Sequence, residues 1–274
     1  LGNKLHRPMT PLQLSDIKKI QLDILRAVDS FCRERGLRYS LAYGSLIGAV
    51  RHGGFIPWDD DIDLLMPRAD YDRLTDEFND AAPAGLRLHC LDSDNSYAAV
   101  YAKIEDTSTV LVEKSSTKPI GVNIDIFPID PLFDSHIESA RYVDAMKRLK
   151  LLYRSKIVRP TKKNSFAKKI GIIAAKMVSL PFTARSLALK IDRKMRGGQP
   201  GAKFSGYAGS TIGSRDIFES TLFENIRRIR FEDTEAMAIA GYDTYLRAIY
   251  GDYMKLPPEG ERCSPHTIVE VYRK

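Results

Sequence analysis

Four aspartates fall within five positions of this chain, at Asp59, Asp60, Asp61 and Asp63. A folded protein tolerates their mutual repulsion best when a cation lies among them, so the run predicts a metal site. Apolar Ile62 and Leu64 indicate that a β-strand begins here, and strand residues two apart share a face. Asp61 and Asp63 are therefore predicted to hold Mg²⁺ or Mn²⁺ through oxygen ligands. The alternative, a solvated acidic turn, would leave the apolar neighbours on the surface.

An element upstream of the aspartates could bind phosphate. Residues 37–43 read as a strand that ends at Gly44 and Ser45, and a helix from about residue 46 would aim its first N–H groups at an anion. Arg51 suits bidentate contact with a diphosphate. His52 either donates to a leaving phosphate or braces the loop. The pattern favours phosphate chemistry on a metal.

This order of strand, Gly-Ser, short helix, loop and Asp-x-Asp strand resembles the nucleotidyltransferase fold. The stretch from Arg51 to Asp63, Arg-His-Gly-Gly-Phe-Ile-Pro-Trp-Asp-Asp-Asp-Ile-Asp, is similar to the LicD family of phosphocholine transferases, to which the fukutin-related proteins are distantly similar. Later blocks resemble the same family in the same order, at residues 103–109, 123–130 and 250–258. We therefore expect the resemblance to extend over most of the chain.

The resemblance implies that Asp125 is the third metal carboxylate, beside Asp61 and Asp63. The alternation around it agrees, because Asn123 and Asp125 should share one face of a strand while Ile124 takes the other. An acid in a short apolar strand is costly to bury without a partner, and a shared cation supplies one. The alternative for Asp125 is that it caps a neighbouring turn.

The resemblance implies further substrate-binding residues. Lys103 would be a point charge for a phosphate, or else a surface lysine on a strand. Arg262 and His266 match the family's tail and would contact the donor or tie the structure. Trp58, the only tryptophan, either packs under the loop or offers its face to a quaternary ammonium.

The predicted fold class is α/β (α+β), with a nucleotidyltransferase-like mixed sheet flanked by helices and an appended basic helical lobe. Thr10-Pro11 is predicted to start a first helix that closes at Gly36. Strand patterns follow through residue 127, and helices follow from His136. We divide the chain into a catalytic core at 1–134, a basic helical insertion at 135–216 and a C-terminal segment at 217–274 that packs back on the core.

Charge is unevenly distributed along the chain. From Arg141 to Lys176 there are twelve Lys or Arg and one acid, against +7 for all 274 residues. The apolar stretch 170–182 is too short and interrupted to cross a bilayer. The basic segment 141–176 would thus dock on an anionic membrane surface or form a solvated face. Nucleic acid is an unlikely partner, because the aromatics form no stacking pattern.

Cysteine usage gives an expectation about compartment. The three cysteines are scattered and match neither a disulfide framework nor a zinc spacing. No signal-peptide core is found in the first ten residues. We therefore predict a cytoplasmic enzyme, peripheral at the inner face of the membrane.

Together these features predict a Mg²⁺-dependent (or Mn²⁺-dependent) transferase. It would move phosphocholine or a similar phospho-alcohol from CDP-choline or a similar nucleotide donor to a hydroxyl of a glycan acceptor, for example lipid-linked or a teichoic acid precursor. Phosphocholine as cargo rests on the resemblance alone. The alternatives are transfer of glycerol phosphate, ribitol phosphate or a nucleotidyl group, and, from another class, a nucleic-acid-binding module.

Overall fold

The computed structural model of the protein describes residues 10–113, 119–157, 171, 176–262 and 268–274. Within these ranges the helices are α1 Leu14–Arg35, α2 Tyr43–His52, α3 Arg68–Ala81, α4 His136–Ala145, α5 Lys147–Ile157, α6 Ala184–Met195 and α7 Tyr242–Tyr250. The strands there are β1 Thr10–Pro11, β2 Ser40–Leu41, β3 Asp63–Pro67, β4 Leu86–His89, β5 Ala102–Asp106, β6 Thr109–Glu113, β7 Asn123–Pro131, β8 Phe204–Gly206, β9 Ile217–Glu219, β10 Ile226–Phe231, β11 Thr234–Ile239 and β12 Ile268–Arg273. This α+β content confirms the predicted fold class.

The central sheet is mixed and runs in the order β2-β3-β7-β5-β4. The β3–β7 pair is parallel, whereas β2, β5 and β4 each run antiparallel to their neighbours. The far end of β7 also pairs with β8, through Asp130 and Pro131. Strand β7 is therefore the central strand of the sheet. It pairs with β3 and β5 on its two sides and, at its end, with β8.

Helix α1 covers one face of this sheet, and its sequence explains why. Ile17, Ile20, Ile24 and Val28 recur at helical spacing and are all buried. Full burial of one such side chain stabilises the fold by about 1.5–3 kcal/mol. Gly36, at φ 64°, ends the helix in the left-handed conformation that glycine adopts most readily. The predicted apolar stripe and its closure at Gly36 are confirmed.

Two predicted boundaries are wrong. Thr10 and Pro11 do not start a helix but form β1, which pairs with Tyr272 and Arg273 of β12. Helix α1 begins at Leu14 instead, where Gln13 and Asp16 form a capping box. The predicted strand at 37–43 is only Ser40–Leu41, and the next helix begins at Tyr43 rather than near residue 46.

The region predicted to be helical from His136 is confirmed as α4, α5 and α6, which pack on the core. Arg185 of α6 reaches across to donate to the carbonyl oxygens of Leu91, Asp94 and Tyr97 at 2.7–3.0 Å. Residues 158–170 and 172–175, which hold part of the basic segment, lie outside the described residues. No helix within the described ranges is long and apolar enough to cross a membrane.

Candidate active site

Three neighbouring strands place charged side chains in one row across the sheet. Asp63 on β3 lies opposite Asp125 on β7, and Asp125 lies opposite Lys103 on β5. Residues paired in this way project from the same face. The Lys103 ammonium donates to the Asp125 carboxylate and, at 2.9 Å, to Oδ1 of Asn123. Asn123 and Asp125 therefore share a face, as their alternation predicts.

The electrostatics of this row centre on Asp63. Burial, then repulsion from Asp61 and Asp125, raises the pKa of Asp63, and the Lys103 ammonium opposes that rise. Like charges at close range disfavour one another's ionisation unless a cation compensates them. The Lys103 ammonium alone does not return the pKa of Asp63 to its usual range, so the row is suited to a further positive charge.

The loop before β3 adds more carboxylates. One oxygen from each of Asp59, Asp60 and Asp61 lies within 4.8 Å of the others. Asp61 and Asp63 are partly exposed while Ile62 between them is fully buried, so the two acids share a face although β3 begins only at Asp63. Asp61 thus joins the loop cluster to the row of Asp63 and Asp125.

The backbone around these acids is fixed by hydrogen bonds from the preceding elements. The Asp63 N–H donates to Oγ of Ser45 at 2.9 Å, and the Ala42 N–H donates to the Asp63 carbonyl at 2.9 Å. On the other side, the buried amide of Gln21 donates to the carbonyls of Asp60, at 2.9 Å, and Asn123, at 3.1 Å. Ser45, predicted to bind substrate, therefore positions Asp63 in this structure.

Gly44 lies in the first turn of α2, where the structure brings it against the acidic loop. A Cβ at this position would lie 2.7 Å from Oδ2 of Asp59, so only glycine allows the approach without a shift. The first N–H groups of a helix have no intrahelical partner and attract anions. The predicted anion-binding turn is thus inside the helix rather than before it, and it lies beside the carboxylates.

Tyr43, the first residue of α2, takes a backbone conformation that side chains rarely adopt, with φ 44°. Its hydroxyl donates to Oδ2 of buried Asp216 at 2.7 Å, and its ring meets Phe127 edge-on at 5.7 Å. Burial raises the pKa of Asp216 to about 6, although the Tyr43 hydroxyl opposes this. These contacts hold the strained start of α2.

A second group of predicted site residues gathers at the far end of α2. Arg51 donates from Nε to Nε2 of His52 at 2.9 Å and from Nη1 to the Tyr253 carbonyl at 2.7 Å. Trp58 packs on the core, with His52 at its edge at 6.4 Å and the Arg262 guanidinium over its ring at 5.8 Å. Burial, followed by the charge of Arg51, lowers the pKa of His52.

The structure therefore separates the predicted site residues into two groups. Gly44, Ser45, Lys103 and the predicted metal ligands Asp61, Asp63 and Asp125 lie in the row on the sheet or beside it. Arg51, His52, Trp58 and Arg262 form a rim linked to it through the acidic loop. His266 lies outside the described residues.

The donor set fits a hard divalent cation. Asp61, Asp63 and Asp125 offer only carboxylate oxygens, the ligands that Mg²⁺ and Mn²⁺ prefer, and the raised pKa of Asp63 records the repulsion that a cation would relieve. A zinc site would more typically use nitrogen or sulfur. Asp61, Asp63 and Asp125 would hold the metal, although among the described residues the three acids whose oxygens lie within 4.8 Å of one another are Asp59, Asp60 and Asp61.

Comparison with known proteins shows which family the chain resembles. The family described as LicD/FKTN/FKRP, nucleotidyltransferase domain, matches residues 36–170, which include Asp61, Asp63, Lys103 and Asp125. The chain is 30% identical over 96% of its length to the lipopolysaccharide cholinephosphotransferase LicD of Haemophilus influenzae, covering 99% of that protein. The chain belongs to the LicD family. It is accordingly an enzyme, a transferase, and the resemblance stated from its motifs is confirmed.

A second similarity is local. Over 29 residues, 11% of this chain, it is 66% identical to the ribitol 5-phosphate transferase FKRP of mouse and of human, of which the match covers 6%. The LicD family thus joins relatives named for different transferred alcohols.

Sequence reasoning missed a cavity of ≈ 440 Å³ that opens beside Asp63. Aromatic rings dominate its walls, and they come from distant parts of the chain: Tyr43, Tyr101, Phe127, Tyr153, Tyr207 and Tyr250. Helix α5, within the predicted basic lobe, forms one wall. No single sequence motif predicts this cavity, because its rings are scattered along the chain and each has the pattern of a common core residue within its own segment.

Proposed function

We propose that this LicD family member is a Mg²⁺-dependent or Mn²⁺-dependent transferase of phosphocholine, from a CDP-activated donor to a hydroxyl of a cell-surface glycan. The observation that carries the proposal is the row in which Asp63 and Asp125 lie opposite each other on parallel strands, with Asp61 adjoining. The 30% identity to a cholinephosphotransferase supports the choice of cargo.

In the proposed reaction, the acceptor hydroxyl oxygen attacks the phosphorus that carries the choline. A P–O bond forms to the acceptor, and the P–O bond to the leaving cytidine monophosphate breaks. The hydroxyl proton passes to the Asp125 carboxylate, which lies in the row with an ammonium beside it. The metal, held by Asp61, Asp63 and Asp125, would neutralise charge on the phosphates.

The surrounding elements suit the leaving nucleotide and its diphosphate. The first turn of α2 at Gly44 and Ser45 presents N–H groups to an anion. Lys103 adds positive charge at the row. Arg51 and Arg262, on the rim, are the guanidinium groups predicted for the donor, and they would need to give up some of their present contacts to bind it.

The proposal is tested with Asp63→Asn and, as matched control, Asp80→Asn on the exposed end of α3. Wild type should gain thermal stability with Mg²⁺, by about 2.7 kcal/mol at a concentration a hundred times the dissociation constant. Asp63→Asn should lose most of that gain and nearly all transfer from CDP-choline. Asp80→Asn should keep both. Wild-type turnover in Asp63→Asn, with an unchanged metal shift, would reject the site.

A second variant separates the two roles of Asp125. If Asp125 takes the acceptor proton as well as binding metal, Asp125→Asn should reduce turnover much more than donor affinity. Calorimetric titration with CDP-choline, beside steady-state rates, measures both. Equal losses of affinity and turnover would leave Asp125 as a ligand alone.

Ribitol phosphate is the second candidate cargo, favoured by the local identity to FKRP. The same row of carboxylates would serve, because the bond that breaks is the same. A panel of CDP-choline, CDP-ribitol and CDP-glycerol with one acceptor decides between the cargoes by their ratio of kcat/KM.

We also propose that the basic segment docks the enzyme on an anionic membrane that carries a lipid-linked acceptor. Near the undescribed part of this segment, Met177, Val178 and Leu180 are 64–73% exposed, which supports contact with an apolar phase. Each basic side chain near such a surface contributes about 1 kcal/mol.

A further inference from the structure

The aromatic cavity adjoins the carboxylate row through the geometry of two strands. Phe127 follows Asp125 by two residues on β7, and Tyr101 precedes Lys103 by two residues beside β5. Residues two apart on a strand share a face, so these rings lie on the face that carries the carboxylates. Their centroids are 4.7 Å apart, which confirms that they meet on that face.

The distance between the carboxylate row and the aromatic rings is set by strand β7. Two residues of β7 span about 7 Å, so the Phe127 ring lies about that far along the sheet from the Asp125 carboxylate. In phosphocholine four bonds separate phosphorus from nitrogen, about 5 Å when extended. With the phosphorus at the carboxylate row, the trimethylammonium group would therefore lie among the rings.

The rings contact one another and form a continuous aromatic wall, against whose free faces a cation could bind. Phe127 is central, with Tyr207 at 5.0 Å and Tyr43 at 5.7 Å in addition to Tyr101. Tyr101 already has the Lys103 ammonium 5.5 Å from its centroid, so this ring contacts a positive charge in the structure. Aromatic faces attract cations through the ring quadrupole, with a larger effect when water is excluded.

Two basic residues, Lys150 and the exposed Arg154, line the cavity from α5, and their positive charge would oppose a cation bound near them. The Lys150 amine donates to the carbonyl oxygens of Ala208, at 3.1 Å, and Ser210, at 2.8 Å. Burial lowers the pKa of Lys150. Asp63 lines the same cavity, which places the cavity next to the carboxylate row.

We propose that the cavity lined by Tyr101, Phe127 and Tyr207 is the specificity pocket of the enzyme and binds the quaternary ammonium of the transferred alcohol. The inference rests on the proposed function, because it assumes that phosphorus is bound at the carboxylate row. It goes further in naming the residues that choose the alcohol. Polyols such as ribitol carry no charge and would gain nothing from the rings as cation partners.

The first test measures binding without turnover. Phosphocholine and 3,3-dimethylbutyl phosphate share a shape, but only the first carries a positive charge. Calorimetry of the Mg²⁺-loaded wild type should show phosphocholine binding about tenfold more tightly, the size of a desolvated cation–π contact. Equal affinity for the two compounds would overturn the proposal, because the cavity would then recognise shape alone.

The second test uses Phe127→Leu, which keeps apolar volume but removes the central ring. The ratio of kcat/KM for CDP-choline to that for CDP-ethanolamine should fall about tenfold. Tyr101→Leu should act in the same direction. Tyr242→Leu, on α7 outside the cavity, is the matched control and should keep the wild-type ratio.

The outcomes separate this inference from the proposed function. Wild type that transfers from CDP-choline, with Phe127→Leu keeping the ratio and raising only the KM for the acceptor, would place the glycan in the cavity and overturn the inference alone. Wild type without transfer from any nucleotide donor would reject the function. In that case a tenfold preference for phosphocholine over its neutral analogue would still support the pocket.

Discussion

The pair of Arg68 and Asp130 ties helix α3 to the sheet, and its removal should cost much of the fold's stability. Arg68, the first residue of α3, donates from Nε and Nη2 to both oxygens of Asp130, at 2.7 and 2.8 Å. The Asp130 side chain is fully buried and that of Arg68 is 11% exposed. Asp192 of α6 lies 3.5 Å from the same guanidinium. Together with Asp192, the pair forms a charged cluster that crosses the predicted boundary after 134.

Burial, and then the charge of Asp192, raises the pKa of Asp130, and the hydrogen bonds and charge of Arg68 oppose that rise. In Asp130→Ala the guanidinium would remain buried without its main carboxylate. Breaking a buried pair from one side costs about 3–5 kcal/mol. With about 2.1 cal/mol/K of unfolding entropy per residue, that corresponds for this protein to a Tm lower by about 5–9 °C.

Differential scanning fluorimetry measures this shift. We expect one transition that moves as a whole, because the pair links α3, β7 and α6. The matched control is Asp144→Ala, which breaks the exposed pair with Lys147 at a similar 2.9 Å and should barely change Tm, since water and salt screen it. The double variant Arg68→Met with Asp130→Leu should recover part of the loss. A shift below 2 °C in Asp130→Ala would refute the reasoning.

The remaining predictions concern pH, a close backbone contact and the membrane. Asp216 has a pKa of about 6 against an ordinary 3.8, so its folded form binds the extra proton and wild type should gain about 3 kcal/mol over Asp216→Asn as pH falls from 7 to 4. Urea unfolding at both pH values measures the gain, and a constant difference would contradict the burial argument. Gly48→Ala should destabilise the protein by about 1–3 kcal/mol, because its Cβ would lie 2.3 Å from the Gly54 carbonyl oxygen. Gly260→Ala, which meets nothing within 4 Å, is the control in the same melts. Neutralising Lys162, Lys163, Lys168 and Lys169 should abolish co-sedimentation with anionic vesicles while sparing transfer to a short soluble acceptor, and wild type that ignores lipid charge would remove the docking proposal.

The parts of the site that follow from sequence are those fixed by local periodicity. The alternation at 61–63 and 123–125 predicts which acids share a face, and the structure agrees for both stretches. Helix α1 and its end at Gly36 follow from apolar spacing in the same way. What periodicity does not supply is the neighbour of each strand. From the sequence, only the family resemblance implies that Asp125 lies near Asp63. The parallel register of β3 and β7 shows directly that the two residues lie opposite each other.

The wrong boundaries share a cause, which is contact between segments far apart in sequence. Thr10 and Pro11 read locally as a cap and first turn, but pairing with Tyr272 and Arg273 makes them a strand. Helix α2 begins three residues earlier than predicted because Tyr43 accepts a strained φ. The hydrogen bond from its hydroxyl to Asp216, which holds that strain, spans 173 positions.

The contrast between local periodicity and contacts between distant segments also explains why the sequence predicts the candidate carboxylates but not the residues that would select the transferred alcohol. Carboxylates that are to share a cation must lie close together, and two of those proposed here come from a single Asp-x-Asp run and the third from the adjacent strand. The proposed alcohol pocket would have to enclose its ligand from several sides, and the rings of the cavity come from β7, from α2 and from residues beyond 135. On this proposal, substitution of a ring would change the transferred group without moving a carboxylate. That arrangement would allow one family to transfer alcohols of different charge from the same row of acids.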